Sequence, residues 1–370
     1  MPFNDVLKEW EDFPFEDFIR SVKKENIRRI LNSDRIQLLD FLSLLSNSAT
    51  EYLEEMARKA HYLTLQHFGR VIQLYIPLYI SNYCTNECAY CGFNMQNKIG
   101  RKKLSLEEIE QNAVEIAHHR MRHILLLTGE APKITPLPYL KEAVLILKKY
   151  FASVSIEIFP MLEEEYKILK EAGVDGLTIY QETYDRLIYD RVHLSGRKKD
   201  FLYRLEAPER GARAGFRSVN IGPLFGLGDP IREAFFAGLH ADYLQRKYPE
   251  IEVSISLPRL NEAEGNFKAL HPLDDRHYVQ TLLAFRLFLP RVGITLSTRE
   301  KGDFRDSLIP LGITRMSAGS LTTVGGYENR NGALKETPQF EIQDHRSIEE
   351  IIEVIKSKGY EPVFKDWDNF

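Results

Sequence analysis

The pattern of hydrophobic and polar positions along the chain changes near residue 70. In residues 1–70, apolar side chains recur at helical spacing among many charged ones, as in the stretch 51–65, and no strand pattern is present. From residue 71 onwards, short apolar runs alternate with longer amphipathic stretches. We therefore expect an N-terminal helical extension, residues 1–70, that packs on a main domain.

The short apolar runs of the main domain predict eight strands. These strands cover residues 71–76, 123–128, 154–158, 177–180, 218–222, 251–257, 293–297 and 313–316. Helix signals lie between them. Ser105 and Glu108 fit a capping box, Thr135 and Pro136 fit a helix start, and Gly173 fits a left-handed helix end.

Eight strand–helix units in about 250 residues match the size of a (β/α)8 barrel. We therefore predict an α/β chain with a TIM-type barrel over residues 71–338. A doubly wound sheet is the alternative, but it would need a glycine-rich turn after the first strand, where a cysteine-rich loop stands instead. Residues 339–370 are predicted to form a C-terminal helical tail, with a helix at 347–358. Docking of this tail on the barrel is favoured over a partner-binding arm.

Composition is that of an ordinary soluble protein. The chain is 44% hydrophobic and 28% charged, and its formal net charge of −4 gives no electrostatic reason to expect binding to nucleic acid or to an anionic membrane. No apolar run approaches the roughly 18–20 residues of a membrane span. The first residues lack a signal-peptide pattern, and the free thiols suit a reducing compartment, so we expect a cytoplasmic protein.

All three cysteines of the chain, Cys84, Cys88 and Cys91, lie within eight positions. The odd count argues against disulfides. A structural zinc site would need a fourth ligand, and the upstream His61 and His67 do not complete a zinc pattern. Chance clustering of buried thiols is a further alternative. The interpretation we favour is that three thiolates hold three corners of a [4Fe–4S] cluster and leave one iron open for chemistry.

The C-x3-C-x2-C spacing, with Tyr90 before the last cysteine and Phe93 after it, resembles the radical S-adenosylmethionine (SAM) enzymes. The resemblance implies that SAM binds the open iron through its amino and carboxylate groups. An electron from the cluster then cleaves SAM to methionine and a 5′-deoxyadenosyl radical. It also implies that Tyr90 and Phe93 belong to the cofactor site.

Polar and charged residues follow the predicted strands, and in a barrel these strand ends meet at one mouth. The candidates that we select are Glu130, Glu157, Gln181, Arg259, Arg299, Ser317 and Ser320. Glu130 suits the ammonium of SAM and Glu157 suits its ribose hydroxyls, while Arg259 and Arg299 suit carboxylates. Gln181 and Arg259 are placed with the cofactor-binding group. The alternatives are a strand-end salt bridge for Glu157 and a rim ion pair for Arg259.

Four later segments, 180–184, 222–227, 297–300 and 317–320, resemble the radical SAM aromatic amino acid lyases. The segments 339–341 and 365–367 narrow the resemblance to the 2-iminoacetate synthases, the tyrosine lyases of thiamine biosynthesis. The resemblance covers nearly the whole chain from about residue 10.

This resemblance implies cleavage of the Cα–Cβ bond of L-tyrosine to 2-iminoacetate and p-cresol. Arg299 would bind the tyrosine carboxylate, with Ser317 or Ser320 assisting. The implied partners are a thiazole synthase, which would receive the imine, and a reductant of the flavodoxin or ferredoxin type.

Two other functions stay open from the residues alone, and two more would need ligands that this chain lacks. A tryptophan lyase differs in its substrate pocket, and a protein that only carries an iron–sulfur cluster for electron transfer would need no SAM site. A sulfur-inserting synthase, or the sister tyrosine lyase that serves a hydrogenase, would hold a second cluster on further ligands. No cysteine follows Cys91 in this chain.

Overall fold

The structure is a computed structural model that describes residues 1–329 and 336–365. Its strands, in chain order, are β1 Val71–Ser81, β2 Glu87–Cys88, β3 His123–Thr128, β4 Ser153–Glu157, β5 Gly176–Thr178, β6 His193–Ser195, β7 Ser218–Ile221, β8 Glu252–Ser256, β9 Gly293–Leu296, β10 Arg315–Ser317 and β11 Glu361–Val363. All eight predicted strands are present, with ends shifted by a few residues.

Eight of these strands form a closed parallel barrel. Their order is β10-β9-β8-β7-β5-β4-β3-β1, and β10 pairs with β1 to close the ring. The predicted (β/α)8 barrel is therefore confirmed, and the doubly wound sheet was the wrong alternative. The two remaining pairings are antiparallel β2–β6, outside the barrel, and parallel β11 beside β1.

Helices surround the barrel and precede it. They are α1 Phe3–Glu11, α2 Phe15–Ser21, α3 Lys24–Leu31, α4 Leu38–Leu44, α5 Leu53–Phe68, α6 Leu106–His118, α7 Leu137–Leu147, α8 Glu163–Ala172, α9 Arg186–Val192, α10 Phe201–Leu205, α11 Ala207–Arg213, α12 Pro230–Lys247, α13 Asp275–Phe288, α14 Gly302–Leu308 and α15 Ile348–Ser357. No helix within the described residues is long and apolar enough to cross a membrane.

Local signals in the sequence place most helix ends. Ser105 accepts a hydrogen bond from the backbone N–H of Glu108, whose carboxylate accepts one from Ser105 N–H, as a capping box requires. Gly173 ends α8 in the left-handed region at φ 113°. The predicted start at Thr135 was wrong by one residue: Pro136 is the N-cap, and the Thr135 hydroxyl donates to the carbonyl of Ala131 instead.

The N-terminal helices form a layer outside the barrel helices. Phe41 stacks on Phe288 of α13 with ring centroids 4.8 Å apart, and Phe3 stacks on His240 of α12 at 3.9 Å. The buried Gln280 amide donates to the carbonyl of Leu44 at 2.8 Å. Apolar contact and hydrogen bonds donated by a buried amide thus join this layer to the outer helices.

The tail is more than a helix. Helix α15 lies where the prediction put it, but β11 then adds a strand beside β1, which sequence analysis missed. Earlier in the tail, residues 339–343 pass over the barrel mouth: the backbone N–H of Gly92 donates to the carbonyl of Gln339 at 2.9 Å. Asp366 and Trp367, used in the sequence comparison, lie outside the described residues.

The inside of the barrel is unusually polar for this architecture. Barrel interiors are commonly filled with branched apolar side chains. Here, small hydroxyl and amide groups occupy many inward positions: the Asn220 amide donates to Ser256 at 2.9 Å, and Ser254 donates back to Asn220 at 3.0 Å. His123 and Ser155 are hydrogen bonded at 3.1 Å. A polar interior leaves space for a ligand at the carboxyl ends of the strands.

Candidate active site

The three cysteines lie on the loop that follows β1. Cys88 is buried on β2, whereas Cys84 and Cys91 are half-buried. Burial raises the pKa of the Cys88 and Cys91 thiols, and the neighbouring cysteines add to the effect. A thiolate at such a depth needs a cation beside it, which the irons of a cluster would supply.

The cysteine loop is held in place by a side chain that donates to its backbone carbonyls. The Arg101 guanidinium donates to four carbonyls, those of Asn82, Phe93, Asn94 and Asn97, at 2.6–3.3 Å. Within the part of the chain that the structure describes, no three His, Cys, Asp or Glu side chains are spaced to bind one metal ion. A cluster does not require that spacing, because it spreads its thiolates over three irons. The residues present therefore fit a three-cysteine cluster.

The two aromatic residues of the loop have different surroundings. Tyr90 is buried, and its hydroxyl lies 2.9 Å from Nε2 of His193, whose Nδ1 lies 2.9 Å from the carbonyl of Tyr189. Burial lowers the pKa of His193 to about 3, so the ring is neutral. If Nδ1 donates to the Tyr189 carbonyl, Nε2 accepts from Tyr90. Phe93 packs edge-on against Tyr79 with centroids 5.9 Å apart.

Two cavities adjoin at the mouth of the barrel. The first, which we call the cysteine-side cavity, is lined by Tyr90, Cys91, Glu157, Tyr180, Glu182, Lys198, Leu224, Leu260, Asn261, Arg299, Gln339 and Phe340. The second, the inner cavity, is lined by Tyr75, Pro77, Tyr79, Leu125, Leu127, Glu157, Tyr180, Ser256, Leu257, Pro258, Tyr278, Thr295, Leu296, Ser297, Thr298, Arg299, Glu300, Ser317, Ser320, Thr322 and Phe340. Glu157, Tyr180, Arg299 and Phe340 belong to both, so a ligand in one lies next to a ligand in the other.

The acidic candidates of the early strands lie beside the cysteine loop. Glu130 is buried and accepts a hydrogen bond of 2.7 Å from the amide of Asn86, two residues after Cys84. Glu157 lies between the two cavities. Burial, and then the nearby charge of Glu182, raises the pKa of Glu157 to about 7. A carboxyl group with this pKa and no saturating cation is typical of a ligand-binding position.

Sequence analysis selected Gln181, but the structure brings Glu182 to the site. Tyr180 and Glu182 line the cysteine-side cavity, while Gln181 points the other way and its amide lies 3.4 Å from the carbonyl of Phe201. Successive side chains of an extended chain alternate between faces. That alternation, applied from Tyr180, would have selected Glu182.

Glu182 forms a buried charge cluster with two cations. Its carboxylate lies 2.7 Å from Lys198 and 3.2 Å from Arg204. Burial opposes ionisation, but the two cations outweigh it and hold the pKa of Glu182 down to about 2. Its backbone has φ 72°, a left-handed conformation that is uncommon outside glycine. Lys198 and Arg204 were also missed, because only the fold brings the basic run near residue 198 to the cysteine loop.

The two candidate arginines differ in whether their guanidinium groups are already paired within the protein. Arg259 is engaged by Glu300, by Asp275 at 2.7 Å and by the carbonyl of Leu273 at 3.1 Å, so its donors are used within the rim. These contacts match the alternative of a rim ion pair. Its assignment to the cofactor stays a prediction.

Arg299 has no such partners. Its guanidinium carbon lies 3.3 Å from the ring centroid of Phe340, and one nitrogen lies 3.5 Å from the carbonyl of Arg259. No carboxylate among residues 1–329 and 336–365 forms an ion pair with it. Its planar face is held by the aromatic ring, while its donors face both cavities.

Ser317 and Ser320 line the inner cavity in different states. The Ser317 hydroxyl accepts a hydrogen bond of 3.1 Å from the backbone N–H of Thr298, so it supports the strand. The buried Ser320 hydroxyl has no hydrogen-bond partner among the described residues. An unpartnered hydroxyl in a cavity wall is a ready donor or acceptor for a ligand.

A closed parallel barrel, a three-cysteine loop after its first strand and a cavity beside that loop define a radical SAM enzyme. Comparison with known families agrees: residues 78–236 match the Radical SAM superfamily, and residues 256–361 match the Biotin and Thiamin Synthesis associated domain. A [4Fe–4S] cluster and SAM are the cofactors of this superfamily.

Individual relatives identify one family within the radical SAM enzymes. The 2-iminoacetate synthase of Escherichia coli K12 is 39% identical over 98% of this chain and 95% of its own length. The hydrogenase maturase HydG from Carboxydothermus hydrogenoformans is 34% identical, with a TM-score of 0.87 over 98% of this chain and 83% of that one. Methylornithine synthase shares the fold, with a TM-score of 0.69 at 23% identity over 91% of this chain and 97% of that one. The chain belongs to the 2-iminoacetate synthase family.

Proposed function

We propose that this chain cleaves the Cα–Cβ bond of L-tyrosine to 2-iminoacetate and p-cresol. The observation that supports the proposal best is the inner cavity. It has walls of Leu125, Leu127 and Pro77, a free guanidinium at its rim and a common wall with the cavity of Cys91. An aromatic amino acid placed there would have its ring among apolar groups and its charged end towards the cysteine loop.

Arg299 would bind the carboxylate of tyrosine. A guanidinium that has no carboxylate partner among the described residues and lies flat on Phe340 can offer two parallel N–H donors without losing much side-chain freedom. Because Arg299 lines both cavities, a substrate bound to it keeps its amino group at their common wall. Ser320 would add a hydrogen bond, and Ser317 would support it through the strand.

The cysteine-side cavity would hold SAM. Cys84, Cys88 and Cys91 would bind the cluster, and bound together the reduced cluster and SAM supply the radical that removes a hydrogen atom from the substrate. Tyr90 would pack against the cofactor, with its hydroxyl held by His193. Phe93 would pack behind the loop against Tyr79.

The charged residues near that cavity have separable roles. Glu130 would take the ammonium of SAM and Glu157 its ribose hydroxyls. Lys198 lines this cavity together with Glu182, which pairs with both Lys198 and Arg204, so this compensated cluster would set the electrostatic surroundings of SAM.

The atoms and electrons of the proposed reaction can be followed on the substrate. Tyrosine loses one hydrogen atom from its amino group, the Cα–Cβ bond breaks, and 2-iminoacetate leaves with the nitrogen and the carboxylate. The benzylic fragment takes up one electron and one proton to become p-cresol. A further electron is needed for SAM cleavage, so a one-electron reductant of the flavodoxin or ferredoxin type is required. Because an imine hydrolyses readily, a thiazole synthase would be its receiver.

The test is anaerobic turnover of the reconstituted protein with SAM, dithionite and either L-tyrosine or L-tryptophan. The expected result is p-cresol and 5′-deoxyadenosine from tyrosine, with the imine trapped as glyoxylate or as glycine after reduction. Turnover of tryptophan in preference to tyrosine would assign the chain to the tryptophan lyase type. SAM cleavage without any tyrosine product would exclude the proposed substrate.

A further inference from the structure

Two basic segments of the chain border the cysteine loop. Residues 98–103 contain four Lys or Arg, residues 197–199 consist of three, and neither segment contains an acidic residue. This concentration of positive charge occurs in a chain whose formal net charge is −4. Local charge of one sign on a protein of the opposite sign calls for a reason other than solubility.

Residues 197–199 are bonded directly to the loop, and so are Asn94 and Met95, which precede the 98–103 segment. The backbone N–H of Lys198 donates to the Asn86 side chain at 3.0 Å, and β6 pairs with β2, which contains Cys88. The backbone N–H of Met95 donates to the carbonyl of Asn86 at 3.0 Å, and the Asn94 amide donates to the carbonyl of Cys88 at 2.9 Å. The surface formed by these segments therefore borders the backbone of the cysteine loop.

The exposed part of this surface has an apolar centre and a basic rim. Met95 and Leu194 are 45% and 48% exposed, and Ser195 between them has its hydroxyl 3.8 Å from the Met95 sulfur. Around them, Lys98, Arg197 and Lys199 are exposed. An apolar centre surrounded by charged residues is the usual composition of a protein–protein contact.

The charges that face inward are distinct from those of the rim. Arg101 donates to loop carbonyls and Lys198 pairs with Glu182, so neither is available to a partner. The one acidic residue of the loop, Glu87, accepts a hydrogen bond of 3.2 Å from Ser195. The exposed charges that a docking protein would meet at the rim are therefore the basic Lys98, Arg197 and Lys199 and, next to Lys199, the acidic Asp200.

We propose that this surface, formed by Met95, Lys98, Leu194, Arg197 and Lys199, docks a small acidic protein that donates single electrons to the cluster. The inference rests on the proposed function, because that reaction consumes electrons at the cysteine loop. In each event the docked donor is oxidised by one electron and the cluster is reduced by one, with no bond made or broken. Electron transfer needs a short path, and this surface is bonded to the backbone of the cysteine loop.

Charge complementarity selects the partner. Basic side chains around an apolar centre steer an acidic protein and fix its orientation, and they affect its rate of association more than the chemistry that follows. The receiver of the imine is the competing occupant. It needs access to the cavities at the barrel mouth, whereas an electron donor needs only the cysteine loop.

The experiment compares two reductants on one triple variant, Lys98→Glu with Arg197→Glu and Lys199→Glu. The reconstituted enzyme is reduced either by dithionite or by a flavodoxin kept reduced by its reductase. We expect the apparent KM for flavodoxin to rise by about tenfold or more, since opposite charges become like charges. Dithionite-driven p-cresol formation should stay at the wild-type rate. A matched variant, Lys23→Glu with Lys141→Glu and Lys356→Glu, changes exposed lysines at the start of α3, on α7 and on α15, and should leave both rates unchanged.

A second measurement separates this proposal from the reaction itself. Flavodoxin-driven reduction of the cluster is followed by electron paramagnetic resonance without tyrosine, and it should slow in the triple variant even if tyrosine proves not to be the substrate. Unchanged reduction by flavodoxin would overturn the proposal. Equal losses with dithionite and flavodoxin would also overturn it, by placing these residues in the fold of the loop. Loss of imine transfer alone would assign the surface to the imine receiver.

Discussion

The two sides of the barrel mouth compensate their charges in different ways. On the side of the cysteine loop, Glu182 is neutralised by Lys198 and Arg204, while Glu157 remains beside it with a raised pKa. Each side of the mouth therefore has one charge that the protein compensates (a saturated charge) and one that it does not. Opposite the loop, the saturated charge is the Arg259 guanidinium.

On that opposite side, Arg259 is paired with Glu300 and Asp275, while Arg299 lies on Phe340 without a carboxylate partner among the described residues. The unsaturated members of the two pairs, Glu157 and Arg299, are the ones that line both cavities. A charge that the protein leaves uncompensated is available to a ligand, whereas a saturated charge serves the fold.

The largest effect is expected at the loop itself. Cys88→Ser removes a buried thiol on β2, and a serine hydroxyl is a poor ligand for iron, so the cluster should be lost or become unstable. We expect loss of the cluster's absorbance at about 400 nm and of all SAM cleavage. The measurement is iron content, absorbance and 5′-deoxyadenosine in one anaerobic preparation. Wild-type levels of SAM cleavage by the Cys88→Ser protein would refute the cluster assignment.

The next largest effect distinguishes the two arginines. Arg299→Ala should reduce p-cresol formation on the order of a hundredfold, because a misplacement of about 1 Å is enough for such a loss. 5′-Deoxyadenosine should fall much less, since SAM still binds on the loop side and its radical is then quenched elsewhere.

Arg259→Ala is the matched control for the same pair. It leaves Glu300 buried without its cation, so we expect a loss of stability of about 3–5 kcal/mol, and the ratio of the two products should stay as in the wild type. Thermal unfolding and both products are measured for each variant. A coupling defect in Arg259→Ala with intact stability would reverse the roles that we assign.

The comparison also shows what the sequence could predict. Apolar runs and caps such as Ser105 predicted the barrel, because burial and local hydrogen bonds are written into neighbouring residues. The cysteine loop was found from spacing alone. From the residues alone, Arg259 and Arg299 suited carboxylates equally, and only the family resemblance gave them different roles. Saturation of Arg259 depends on Glu300 and Asp275, which only the fold brings together.

Some residues could have been found with better use of the pattern. Glu182 follows Tyr180 by two positions and lines the same cavity, so alternation continued past the end of β5 would have favoured Glu182 over Gln181. Strand β11 is different. It gains its place by pairing with β1, and its three residues carry no signal strong enough to predict it.

Substitution of Glu157 is expected to have an intermediate effect on SAM binding, and that binding should depend on pH. Its pKa of about 7 means that the carboxyl group loses its proton as the pH rises through neutrality. The ionised form accepts hydrogen bonds from both ribose hydroxyls more strongly than the protonated form, which presents an O–H donor at one oxygen. The affinity for SAM should therefore increase between about pH 6 and 8.

Glu157→Gln should remove that pH dependence, and Glu157→Ala should weaken SAM binding by about 1–3 kcal/mol. Calorimetric titration of the cluster-loaded protein with SAM at several pH values makes the measurement. An unchanged affinity for SAM together with a large loss of tyrosine binding would place Glu157 on the substrate side instead.

The smallest expected effects distinguish Ser320 from Ser317. The two serines differ in whether the hydroxyl group already has a hydrogen-bond partner in the protein. The Ser320 hydroxyl has no partner in the described structure, so Ser320→Ala removes no hydrogen bond of the unliganded protein and should leave its melting temperature unchanged. The hydroxyl should bond to the substrate, and its loss should raise the KM for tyrosine by a factor of about 2–10, the worth of one neutral hydrogen bond.

Ser317→Ala should behave in the opposite way. It leaves the backbone N–H of Thr298 buried without its acceptor, which costs about 1–3 kcal/mol of stability, while the contact with substrate changes little. Steady-state kinetics of p-cresol formation and thermal unfolding of both variants make the comparison. If Ser320→Ala loses stability and Ser317→Ala loses tyrosine affinity, then an unsaturated group in this cavity is not a guide to ligand binding, and the assignment of Arg299 would lose its main support as well.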